Sequence, residues 1–196
     1  MKIVYFAVFF FFLTGAPLAF AGTATGKVVM QGKSSPENIV VYLEGVKGNF
    51  SLPKQTPDMD HKDLQFAPRA LAITTGTTVS FPNADTVFHS AFSISKSNPF
   101  ELGLYGPGRE KSWTFQNPGM VEIFCHIHSH MAGFILVLDH PFYTSTAKDG
   151  SFTIPDIPDG TYQIKAWMGP STSAAKTITL KGKESVSIDL SLSPGK

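Results

Sequence analysis

Cysteine is nearly missing from this chain: its 196 residues include one, Cys125. Long stretches with apolar residues at helical spacing are missing too, and so is any large excess of charge, the formal net charge being +1. Each shortage excludes something. One cysteine cannot form an intrachain disulfide framework. Without helical periodicity, and with 17 Gly and 14 Pro, the chain reads as all-β with many turns. A near-neutral balance without a basic patch interleaved with aromatics argues against a nucleic-acid partner. No twin-arginine pair is present and the residue directly after Ala21 is Gly22, not cysteine, which argues against folded export and against a lipoprotein anchor.

Residues 1–21 read as a secretory signal peptide. Lys2 supplies the positive start, an apolar core runs over 3–13, and Ala19-Phe20-Ala21 is a small-x-small cleavage site before Gly22. The alternative is an uncleaved anchor, but Gly15 and Pro17 interrupt the run. The expectation is a periplasmic or secreted protein, with no membrane association after cleavage and any metal loaded after translocation. In an oxidising compartment a lone cysteine is a buried thiol, a reactive thiol or a metal ligand.

The neighbours of Cys125 favour the ligand. His128 follows three residues later and Met131 three after that. Thiolate, imidazole and thioether together suit copper, and a His₂Cys site with a weak axial Met is the blue-copper pattern. The second histidine must come from elsewhere, and His89 is the leading candidate. The strand before Cys125 puts Val121, Ile123 and Cys125 on one face and Met120, Glu122 and Phe124 on the other. The β-branched face is the core side, so the thiol points inward. His126 and His130 could form a second, looser metal site or relay electrons. Phe124 could line an electron exit or pack against the opposite sheet. His61 reads as a surface residue, though it could pack near the site.

Strands are expected at 25–30 and 39–43. A hairpin around Gly76 should join Leu71 and Ile73 to Val79 and Phe81, and the turn at 82–85 should leave His89 at the start of a strand. A long loop is expected over 97–109. Trp113 and Trp167 are expected in the core. The tail at 142–192 reads as a small antiparallel module ending in a hairpin around Gly182, with His140 at its edge.

Phe66-Ala-Pro, Phe81-Pro-Asn83-Ala-Asp85, His89, Gly119 and Phe124-Cys125-His-Ile-His128-Ser-His-Met131 together resemble the cupredoxins. The short ligand loop is similar to that of amicyanins. The whole chain resembles the exported cupredoxin-domain proteins labelled "methylamine utilization protein". The resemblance implies a Greek-key β-sandwich over 58–139, with His89, Cys125 and His128 as equatorial copper ligands and Met131 axial. Cupredoxins often carry Asn directly after the first histidine; here it is Ser90, a shorter tie between the ligand loops. Thr25-Gly-Lys-Val, Asp149-Gly-Ser-Phe-Thr-Ile-Pro and Pro158-Asp-Gly160-Thr-Tyr162 resemble carboxypeptidase-regulatory-like modules. They imply a second small β-sandwich from 22–57 with 140–192, or from 140–192 alone.

The expected function is that of an exported mononuclear type 1 copper protein, not an enzyme, passing one electron between a redox donor and an acceptor. Copper storage, delivery or sensing is the alternative, and the lack of Met-rich tracts counts against it. No distant His-x-His pair accompanies Cys125, which argues against a multicopper oxidase.

Overall fold

The computed structural model describes residues 21–193, apart from 31, 33–35, 55, 170, 173 and 174. The expected leader lies outside the described residues except for Ala21, which opens the first strand. The described strands are β1 (Ala21–Met30), β2 (Val40–Glu44), β3 (Asp60–Lys62), β4 (Gln65–Ala67), β5 (Ala70–Thr74) and β6 (Thr77–Pro82). Next come β7 (His89–Ser93), β8 (Phe100–Tyr105), β9 (Glu110–Phe115), β10 (Gly119–Phe124), β11 (Ala132–Leu138) and β12 (Tyr143–Ser145). The tail holds β13 (Ser151–Pro158), β14 (Gly160–Met168), β15 (Ser171–Thr172), β16 (Lys176–Leu180), β17 (Ser185–Ser187) and β18 (Leu190–Leu192). The described fold is all-β.

One five-stranded sheet runs β5-β11-β10-β7-β8, and the ladder β6-β9 shares its core. Ile73, Val79, Phe81, Phe115, Val121, Ile123 and Ile135 fill that core and are fully buried. Cys125 and Met131 belong to the same cluster. The remaining strands build two further sheets, β13-β1-β17 with β18 beside β1, and β12-β2-β14-β15 with β16 beside β14. Here the early and late parts of the chain pair directly: β1 lies antiparallel to β13, and β2 to β14.

β11 joins the two cores. Its Ile135 and Val137 face the first, while Phe134, Leu136 and Leu138 pack into the second. Burial on both faces explains why this strand reads as an almost unbroken apolar run. Phe134 meets Trp167 edge-on, with ring centroids 6.4 Å apart.

Several local expectations change. The turn at Gly76 is not a hairpin, because β5 pairs with β11 while β6 pairs with β9. Both strands carry an apolar face, and those faces meet across the core rather than edge to edge. The segments around Gly182 separate for the same reason: β16 joins β14, while β17 and β18 join β1. Within the expected loop at 97–109 lies β8, paired with β7. Trp167 is buried but Trp113 is 37 % exposed.

Gly169 has φ +62°, and a Cβ there would lie 2.4 Å from Cδ2 of Phe134. Gly182 has the same φ with nothing within 4 Å. G169A should therefore lower unfolding stability by about 2–4 kcal/mol, from left-handed backbone plus overpacking. G182A should cost about 1–2 kcal/mol, from backbone alone. Paired denaturant titrations check the difference.

Candidate metal centre

Two loops meet at one end of the first sandwich. The turn after β6 delivers His89 as the first residue of β7, and the segment after β10 delivers Cys125 and His128 before β11 begins. Inward parity along β10 holds: Val121 and Ile123 are fully buried and Cys125 is 5 % exposed, while Met120 is 48 % exposed.

The structure brings His89, Cys125 and His128 together, their donor atoms all within 4.8 Å of one another. Cys125 Sγ lies 3.9 Å from His89 Nδ1 and 3.7 Å from His128 Nδ1, and the two Nδ1 atoms are 3.1 Å apart. Metal–nitrogen bonds of about 2.0 Å and metal–sulfur bonds of about 2.3 Å put donors sharing one ion roughly 3–4 Å apart. The observed spacings fit that range, and the donor set, two imidazoles and a thiol, is a soft one. Met131 is 1 % exposed and belongs to the apolar core that also holds Cys125, and its N–H donates to the His128 carbonyl at 2.9 Å, closing the loop.

Asp85, which the sequence offers as part of a turn and of the Phe-Pro-Asn-x-Asp segment without a role of its own, stands behind His89. His89 Nε2–H donates to Asp85 Oδ2 at 2.8 Å, which leaves Nδ1 with its lone pair turned towards the thiol. The same carboxylate accepts the N–H groups of Asp63 at 2.7 Å and Leu64 at 3.0 Å. Desolvation works against the charged carboxyl, but the Leu64 N–H, the His89 ring and the Asp63 N–H outweigh it and hold its pKa below the usual value. A histidine with an aspartate four residues upstream was the signal available in the sequence.

Ser90 does tie the ligand loops, short as it is. Its hydroxyl accepts the His126 N–H at 2.9 Å and donates to Cys125 Sγ at 3.8 Å. His61 is not a surface residue: it is fully buried and stacks on His89, centroids 5.0 Å apart and planes 25° apart. Burial, then the His89 and His130 rings, lower the pKa of His128, which keeps its lone pair available.

The other histidines lie apart from the donors. His126 stacks on Phe92 at 3.9 Å and meets Glu101 at 2.5 Å, on the outer side of the sheet. His130 is 6.2 Å from the His128 ring and lines a cavity of about 330 Å³ with Asp63, Arg69 and Met131. His140, expected at the edge of the tail module, is buried beside Phe142.

No family model matches the chain, and no curated protein does. Solved structures that match include a purple cupredoxin from Nitrosopumilus maritimus, 22% identical over 43% of this chain and 100% of that one, TM-score 0.38. A reduced-state amicyanin mutant is 20% identical over 42% of this chain and 82% of that one, TM-score 0.40. A copper-containing nitrite reductase from Thermus scotoductus is 26% identical over 58% of this chain, TM-score 0.42, and only 28% of that protein is spanned. The metal-binding reading rests on the donors themselves.

Removing the carboxylate behind His89 should loosen the centre. D85A is expected to weaken metal retention about tenfold to a hundredfold, the usual effect of losing an outer partner of a ligand histidine. Competition against a chelator reads the change, and an unaltered affinity would remove Asp85 from this role.

Proposed function

We propose that this chain is an exported one-electron carrier holding a single copper ion through His89, Cys125 and His128, with Met131 as a weak axial ligand. The observation that carries the reading is the convergence of two Nδ1 atoms and one Sγ at 3.1–3.9 Å, from loops 36 residues apart in sequence. Copper held there supplies a Cu(I)/Cu(II) couple, for which soft sulfur and imidazole donors are suited in both states.

The protein residues do the rest. Asp85 keeps the Nε2–H tautomer of His89 and so presents Nδ1. Ser90 donates to the sulfur and draws charge from it, which favours the reduced state. Full burial of His89 and near-full burial of Cys125 exclude water and restrict movement on electron transfer. His128 is only partly covered, and its chain neighbour Ile127 is 49 % exposed. A redox partner would dock at this edge, where the path from solvent to the donors is shortest.

Export through the 1–21 leader to the periplasm or medium belongs to the same reading, and N-terminal sequencing of the exported protein tests it. The sheets built from β1, β2 and β12–β18 are read as the carboxypeptidase-regulatory-like module. It braces the copper sandwich through β11.

Protein refolded with Cu(II) should show intense visible absorption from thiolate-to-copper charge transfer, and C125S should abolish it. A colourless wild type that binds zinc tightly would sink the copper assignment. A reversible one-electron voltammogram separates a carrier from a storage protein. On the same electrode S90A should shift to lower potential by tens of millivolts, where about 59 mV is a tenfold change for one electron.

A further inference from the structure

β3 and β4 form a hairpin of two three-residue strands, with Asp63 and Leu64 at its turn in left-handed backbone. It lies against the segment 82–90, which carries His89. Main-chain contacts link the two: His61 bridges to Asn83, and the Ala84 N–H donates to the His61 carbonyl at 3.1 Å. Side chains add to them. Asp60 Oδ1 accepts the Ala84 N–H at 3.2 Å, and Asp85 accepts both turn N–H groups.

His61 is the centre of this contact. Its Nδ1 lies 2.9 Å from the Pro82 carbonyl oxygen and its Nε2 lies 3.3 Å from the Ser90 carbonyl oxygen. The ring therefore spans both ends of the segment. Tyr105 meets it edge-on and donates its own hydroxyl to the Phe81 carbonyl at 2.9 Å. One face of the ring lies on His89. A neutral imidazole carries one N–H, and the shorter contact assigns it to Nδ1, donating to the Pro82 carbonyl, with the Ser90 carbonyl only lying against the other nitrogen. A fully buried ring that needs such a partner is an expensive arrangement for mere filling, since an apolar ring would need none.

We infer that His61 is a positioning residue. By donating to the Pro82 carbonyl, lying against the Ser90 carbonyl and stacking on His89, it sets the plane of the His89 ring and the reach of its Nδ1 before any metal binds. The inference rests on the copper reading of the centre. Its physical content is that an immobilised donor loses little freedom on binding, so retention of the ion depends on a group that never touches it.

Two variants test it. H61F keeps a flat ring against His89 and removes the ring nitrogens, and with them the tie to the backbone. H61N keeps a donor near the Nδ1 position and removes the ring. In metal-free protein, ¹⁵N spectra of the ring nitrogens should show one sharp set of His89 signals in the wild type and shifted or broadened ones in H61F, while Asp85 keeps the Nε2–H tautomer in both. In copper-loaded protein, H61F should lose the ion to a chelator about tenfold to a hundredfold faster and show a displaced charge-transfer band. H61N should fall between the two. A folded H61F with the wild-type ring signals, band and loss rate would overturn the inference. If H61F does not fold, H61N decides by the same readings, and wild-type values there overturn it. A wild type without the charge-transfer band sinks the copper reading, whereas a normal wild type with unchanged variants sinks only the role of His61.

Discussion

Two imidazole lone pairs and a thiol sulfur are held within 4 Å of one another at the end of an apolar core. Left to themselves, such groups would turn towards water or towards backbone donors. They stay turned inward because the segments that carry them are tied down. Asp85 takes the outer N–H of His89, Ser90 meets Cys125 and anchors the His126 N–H, and the Met131 N–H closes the loop on His128. The polar network is costly to bury unless complete, so completeness gives it rigidity.

The architecture follows from that need. β10 and β7 are neighbours in one sheet, which brings the end of one next to the start of the other, and pairs Phe124 with Phe92. The hairpin of β3 and β4 closes over the His89 segment. On the opposite flank the outward face of β11 is covered by Trp167 and its neighbours, so the strand following Met131 is packed on both sides. Under the proposed one-electron role, the centre would benefit from a frame that does not readjust.

Much of this was legible along the chain, but unevenly. Alternation in 120–125 turned Cys125 inward, and the turn at 82–85 placed His89 at a strand start. The departure at Ser90 was visible, yet its consequence was not: whether a hydroxyl can bridge the two loops depends on how close the sheet brings them. Asp85 read as a turn residue because its partner lies across the turn in space. His61 read as exposed because it follows Met59-Asp60 and its three-residue strand is too short to show a period. The turns around Gly76 and Gly182 misled for a related reason. Local alternation tells which face of a strand is apolar, but not which strand lies beside it.

The sequence by itself determined the strand-rich class, the inward parity of Cys125 and the gathering of thiol, imidazole and thioether in one short loop. These are short-range properties, set by side-chain period and by spacing along the backbone. Only the tertiary structure decided that β5 and β6 part company, that His126 turns out to Glu101, and that His61, Asp85 and Ser90 support the donors. Those contacts join segments that meet only once strand order and register are set, and that choice belongs to the packing of the whole chain.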